Sequence, residues 1–152
     1  MSLTDLENLP AEGALLGVDP GAKRIGVAVC DPRRSIATAL DTIHRTKLAA
    51  DLTALFALYD SRQCAGLVIG LPVNMDGSEG PRAQSARAFA RNILKHRDIA
   101  IAMHDERLSS AAADDAMAEA GVKPAQRRSL RDQTAAAIIL QSAIDRLGAI
   151  RS

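Results

Sequence analysis

Aromatic side chains are nearly absent: there is no Trp, one Tyr and two Phe in 152 residues. Phe56, Tyr59 and Phe89 all fall on the apolar stripes of helical patterns. A platform that stacks successive bases is therefore not expected, and any nucleic acid would be held by backbone charge and shape. Cysteine is scarce as well. Cys30 lies inside an apolar run and Cys64 just before another, with no C-x-x-C pair and no Cys/His cluster, so neither a zinc site nor a disulfide framework is indicated. No apolar stretch approaches the ~20 residues needed to span a bilayer. Residues 1–13 contain Asp5, Glu7 and Glu12 and no basic leader segment, so the expectation is a cytoplasmic protein with no membrane partner. An excess of charge is also missing: 19 Lys+Arg against 18 Asp+Glu leave a formal charge of +1. A nucleic-acid surface would have to be local, and the acid-free segment from Gly121 to Arg131, with Lys123, Arg127, Arg128 and Arg131, is one place for it.

What is present is an alternation of short apolar runs and helical stripes. Residues 1–13 read as a loose extension, followed by one domain over 14–150. Ala14 to Asp19, Ile25 to Asp31 and Ser35 to Thr42 predict an antiparallel meander. Thr46 to Ser61 has Leu48, Leu52, Leu55, Phe56 and Tyr59 at helical spacing, and Ala65 to Leu71 reads as a strand covered on both faces. Pro81 suits the first position of a helix with Ala86, Phe89, Ala90, Ile93 and Leu94 inward, Ile99 to His104 is a further strand, and helices are expected over about Ser110 to Ala120 and Leu130 to Gly148. The expected fold is α/β, a mixed five-stranded sheet with helices on both faces. That is the architecture of the ribonuclease H-like fold and also of actin-like ATPase halves, so it does not select a function by itself.

Acids follow strands at two places and enter a helix at a third. Asp19 leaves the first strand in the run Gly17-Val18-Asp19-Pro20-Gly21, where it serves either as a cation ligand aimed by the sheet or as the side-chain cap of an Asp-Pro-Gly turn. Asp105 and Glu106 end the strand from Ile99, and they either ligate or sit near the start of the next helix beside Ser109 and Ser110. Asp132 shares a stripe with Ala135, Ala136, Ile139, Leu140, Ala143 and Leu147, and Ser129-x-x-Asp132 also matches a capping box. Three acids gathered together repel by about 4 kcal/mol per pair at ~4 Å and an effective dielectric near 20. A cation makes the cluster tolerable. Oxygen ligands without His or Cys favour Mg²⁺ or Mn²⁺, a site suited to phosphodiester hydrolysis. The phosphate-binding alternative lacks its motifs: Gly17 to Lys23 approaches a P-loop, but Arg24 follows and the turn leads to a strand, and there is no G-x-G-x-x-G. Lys23 and Arg24 are phosphate contacts or solvated turn residues. The row Arg87, Arg91 and Lys95, with Arg82 before it, is a nucleic-acid contact or a solvated helix face.

The runs Gly17-Val-Asp-Pro-Gly-Ala-Lys-Arg-Ile-Gly-Val-Ala, Gly70-Leu-Pro-Val-Asn-Met-Asp-Gly-Ser-Glu-Gly, Asp105-Glu-Arg-Leu-Ser-Ser and Asp132-Gln-Thr-Ala-Ala-Ala resemble, in order, the YqgF/RuvX family. The resemblance covers Leu15 to about Leu147. It implies a ribonuclease H-like fold related to Holliday-junction resolvases, and a nuclease that matures the 5′ end of pre-16S ribosomal RNA in the cytoplasm. By motif position it implies Asp19, Glu106 and Asp132 as catalytic metal ligands for Mg²⁺ or Mn²⁺, with Asp105 as a substitute or supporting acid. It implies a substrate-facing loop with Asn74, Asp76 and Ser78, and the basic residues Lys23, Arg24, Arg82, Arg107, Lys123, Arg127 and Arg128 are taken as substrate contacts. Ala22 departs from the family, which commonly has a hydroxyl residue after the turn glycine. The expected activity is metal-dependent RNA endonuclease cleavage by a monomer or homodimer. The alternatives are a resolvase of branched DNA, a nucleic-acid-binding module without turnover, and an actin-like ATP binder.

Overall fold

The computed structural model describes residues 3–107 and 124–151, with side chains described over 5–107 and 135–150. Along the chain these are β1 (Leu3–Thr4), a 3-10 turn (Leu6–Asn8), β2 (Ala14–Pro20), β3 (Arg24–Cys30), β4 (Ala37–His44), α1 (Leu48–Ser61), β5 (Cys64–Leu71), α2 (Pro81–His96), β6 (Ile101–Asp105) and α3 (Pro124–Arg151). The strands form one sheet in the order β1-β6-β5-β2-β3-β4. The expected mixed sheet of five is present: β2, β3 and β4 are the antiparallel meander, and β5 and β6 lie parallel to β2.

Period-2 alternation explains why each face has its own core. Leu16 and Val18 of β2, Leu67 and Ile69 of β5 and Ile101 of β6 pack with Leu52, Leu55 and Tyr59 of α1 and Phe89 and Ile93 of α2. The intervening residues Leu15, Ala28, Val68 and Ala102 face the other way, onto Ala136, Ile139, Leu140, Ala143, Ile144 and Leu147 of α3. The stripe drawn from Asp132 along α3 is thus the buried face of that helix. A Cβ on Gly17 would lie 2.7 Å from the Leu140 Cβ, so the bare backbone at 17 lets α3 lie directly on β2. β4, at the edge, is largely exposed, as its polar alternation requires.

Residues 3–9 correct the expectation of a loose extension. Leu3 and Thr4 pair in parallel with Ile101 and Ala102, adding a sixth, two-residue strand, and Leu6 and Leu9 are buried against the α3-side core. Two leucines at this spacing supply enough apolar surface to dock a segment that composition alone marked as polar. The helix expected over Ser110 to Ala120 lies outside the described residues. Cys30 is a buried free thiol and Cys64 a half-buried one, in accord with the lack of a disulfide framework.

Candidate active site

β2, β5 and β6 run parallel, so their carboxyl ends emerge on the same edge of the sheet. Val18 is beside Ile69, and Gly70 beside His104. The next position on β2 is Asp19, on the α3 side by alternation. Glu106 follows the last residue of β6 and comes to the same place. The two carboxyl groups are within hydrogen-bonding reach of one another. Gly70 makes this possible: a Cβ there would lie 2.7 Å from Glu106 Oε1 and 2.7 Å from Ile139 Cδ1. Sequence reasoning passed over Gly70, although its place at the end of a buried strand, just before Leu71-Pro72, was the available signal.

Burial raises the Asp19 carboxyl above its ordinary value, with the Arg82 guanidinium and the hydrogen bond to Glu106 opposing. Burial, then the charge of Asp19, pushes Glu106 up to about 7, with Arg82 again opposing. Burial and the closeness of a second carboxylate thus both disfavour two full negative charges on the pair. Glu106 Oε1 is buried with no hydrogen-bond partner among the described residues. A buried, unpartnered carboxylate oxygen costs free energy unless something cationic fills the place. The donor set is hard oxygen alone, so the residues present fit a divalent cation of the Mg²⁺ or Mn²⁺ class. Among the described residues no group of three His, Cys, Asp or Glu side chains comes together. Asp132 falls in α3, one turn before Ala136, and its side chain lies outside the described residues.

Asp105 takes the opposite course. Arg107 clamps it with Nη2–Oδ2 2.7 Å, Nε–Oδ2 3.1 Å and Nε–Oδ1 3.2 Å, and the Arg107 amide donates to Oδ1 at 2.9 Å. Its pKa is lowered, chiefly by the hydrogen bond from Arg107. Asp105, expected as a substitute or supporting acid, is thereby engaged by Arg107: it alternates to the α2 side, where a guanidinium neutralises it.

Two grooves flank the pair. One, of about 540 Å³, is lined by Asp19, Arg24, Thr42, His44 and Ala136. The other, of about 650 Å³, is lined by Glu106, Arg82, Arg107, Asn74 and Met75. Of the expected substrate contacts, Arg24, Arg82 and Arg107 line these grooves, while Lys23 is exposed on the turn after Asp19. Arg107 also reaches the carbonyls of Asn74 and Met75 at 3.3 and 3.4 Å, tying the 72–80 loop to the end of β6. Within that loop Asn74 Nδ2 donates to Ser78 Oγ at 3.0 Å, and the Ser78 amide and hydroxyl donate to Asp76 Oδ1 at 2.9 and 2.6 Å. These three side chains thus build the turn that brings Asn74 to the groove wall. In the α2 row Arg87 is held by Glu79 at 2.6 and 2.8 Å, and Arg91 and Lys95 are exposed. Lys123 and the side chains of Arg127 and Arg128 lie outside the described residues.

The chain shares its fold with Thermus thermophilus RuvC, solved in complex with a Holliday junction substrate (TM-score 0.57, 11% identity, 90% of this chain and 96% of that one). It shares it too with the large terminase nuclease of the thermophilic phage G20c (TM-score 0.52, 14% identity, 89% and 81%). Relatives in sequence are far nearer. A Rhodobacter capsulatus protein is 57% identical over 139 residues, covering 91% of this chain and 87% of its own length. A Rhodopseudomonas palustris protein is 52% identical over 141 residues, covering 93% and 88%. Both carry the name "Putative pre-16S rRNA nuclease". Residues 13–146, which run from the strand bearing Asp19 to the helix that closes over it, match the family described as "RuvX: Holliday junction resolvase", and the chain belongs to that family.

Proposed function

We propose that the protein is a divalent-metal-dependent endonuclease that hydrolyses RNA phosphodiester bonds, with precursor 16S ribosomal RNA as substrate. The observation that carries this reading is the meeting of the half-buried Asp19 and Glu106 carboxyl groups, with Oε1 of Glu106 buried and without a hydrogen-bond partner among the described residues. The names of the relatives support the RNA substrate. Asp19 and Glu106 would hold the cation. Asp132 is the third ligand of the proposal, because helical spacing puts it one turn before Ala136, whose Cβ is 3.5 Å from the position a Cβ would take on Gly26, the cross-strand partner of Asp19. When bound, such an ion supplies charge that offsets the charge developing on phosphate and lowers the pKa of water. Glu106 gives up its proton when the cation is taken up, since a ligating carboxylate must be ionised. Arg82, at the mouth of the site, and Arg24, in the neighbouring groove, orient the phosphates on either side of the scissile bond. With no Phe, Tyr or Trp among the described residues of either groove lining, affinity rests chiefly on the backbone and falls steeply with salt.

The second reading, resolution of branched DNA, is favoured by the description of the family and by the substrate of the RuvC neighbour. It needs a two-fold dimer able to cut two strands symmetrically, whereas RNA processing is open to a monomer or a homodimer. The test is to incubate the protein and its Asp19→Asn form with precursor 16S rRNA and with a four-way DNA junction, each with Mg²⁺ or Mn²⁺. Cleavage of the RNA by the parent alone is expected. Cleavage of the junction alone would transfer the assignment to the second reading, and equal cleavage by both forms, or RNA binding without cleavage by the parent, would overturn the proposal.

A further inference from the structure

The turn that follows Asp19 is gripped from both sides by one residue. Arg45, just past β4, donates its backbone N–H to the Lys23 carbonyl at 2.9 Å, and its Nη1 donates to the Gly21 carbonyl at 2.9 Å. Inside the turn the Gly21 N–H is shared between the carbonyls of Asp19 at 3.1 Å and Arg24 at 2.9 Å. The turn is thus closed on itself, and Arg45 fixes how it sits against the end of β4. Two contacts set the place of Arg45 in turn. Its guanidinium lies 5.6 Å from the centroid of the Phe89 ring, and its Nε is 3.7 Å from Asp51 Oδ2.

Asp51 is 3% exposed, an ionisable side chain deep beneath the first turn of α1. Its Oδ1 accepts the Thr46 amide at 3.1 Å, a bond an uncharged amide side chain would accept equally. Its charge is favoured by the first turn of α1 in which it stands, and the cation it faces is Arg45. We infer that Asp51 and Arg45 are positioning residues for Asp19: the buried carboxylate anchors the guanidinium, which through the Gly21 carbonyl fixes the turn that directs the Asp19 carboxyl toward Glu106. The inference rests on the proposed role of Asp19 as a cation ligand. Neither residue touches the carboxylate pair, so their effect passes through the backbone alone. A pair that merely fastened α1 to β4 would change stability and nothing else.

Asp51→Asn retains the shape and the acceptor for Thr46 while removing the charge, Arg45→Ala removes the grip, and Leu55→Ala, on the same helix but away from the turn, is a destabilised control. Three quantities separate the roles: Mn²⁺ affinity by calorimetry, amide hydrogen exchange at Gly21 without metal, and kcat against KM on precursor rRNA. Asp51→Asn and Arg45→Ala are expected to weaken Mn²⁺ binding and lower kcat by about tenfold each, with KM for RNA within about twofold. Exchange at Gly21 is expected to rise about tenfold in both, and the double variant to be no worse than Arg45→Ala. Leu55→Ala is expected to lower Tm while leaving Mn²⁺ affinity and Gly21 exchange at parent values. If Asp51→Asn behaves like Leu55→Ala, the inference is overturned. If the parent itself binds no Mn²⁺ and cuts no RNA, the nuclease reading fails, and Gly21 exchange then decides alone: raised in Asp51→Asn upholds the positioning, unchanged overturns it.

Discussion

Asp105 and Glu106 are consecutive acids at one strand end, and the fold treats them oppositely. Asp105 turns toward α2 and meets a guanidinium that engages both its oxygens, so its charge is settled within the protein. Glu106 turns toward α3, is half-buried beside a second carboxylate, and keeps one buried oxygen with no partner among the described residues. The first arrangement is what a folded chain does with an acid for its own sake. The second is unfavourable for the protein alone, and such sites persist where a ligand completes them. The difference between an acid neutralised within the protein and one left facing another carboxylate is here one residue of alternation and one arginine.

The comparison breaks most visibly under neutral replacement. Glu106→Gln and Asp19→Asn should each lower cleavage of precursor rRNA by about 10³-fold in a single-turnover assay, while far-UV circular dichroism shows the fold intact. Asp105→Asn should lower it by no more than about tenfold, acting only through Arg107 and its hold on the 72–80 loop. A loss in Asp105→Asn equal to that in Glu106→Gln would erase the distinction. Next in size is Gly70→Ala, whose new methyl would stand 2.7 Å from both Glu106 Oε1 and Ile139 Cδ1. It is expected to cost about 1–3 kcal/mol of stability by chemical denaturation and to displace Glu106, with activity falling in parallel.

The pH dependence sharpens the same contrast. Glu106 rises from 4.5 to about 7 on folding, so between those values the folded state binds more protons than the unfolded one. Its contribution to stability is therefore greatest below about 4.5, declines as pH rises to about 7 and is level above. Asp105 has the reverse sign: its lowered pKa contributes stability above its ordinary value of 3.8, lost as pH falls below it. In chelator at pH 8, Glu106→Gln is accordingly expected to raise Tm by about 2–4 °C, and Asp105→Asn to lower it by no more than about 2 °C, both by scanning calorimetry. With Mg²⁺ saturating, the sign for Glu106→Gln should invert, because only the parent gains from the ion.

Much of this was legible in the sequence because alternation and helical spacing are local. The parity that puts Leu15, Gly17 and Asp19 on one face is written in β2, and the stripe from Ala136 to Leu147 announces the buried side of α3. Two strands ending in acid, with a third acid at the head of that stripe, pointed to a cation. Local pattern leaves Asp105 and Glu106 alike as acids at a strand end, and the family resemblance alone singles out Glu106; that Arg107 folds back onto Asp105 is visible only in the structure. The docking of residues 3–9 was hidden for the same reason: Leu6 and Leu9 lie in a polar stretch, and only the α3-side core explains their burial. Arg45 makes its contacts with residues remote in sequence, which no local pattern records.

The most direct test of the central claim is calorimetric titration of Mn²⁺ into the parent protein, Glu106→Gln and Asp105→Asn at pH 8. Binding to the parent and to Asp105→Asn with affinities within about threefold, and at least about tenfold weaker binding to Glu106→Gln, is the predicted result. No binding to the parent, or an equal loss in both variants, would contradict it.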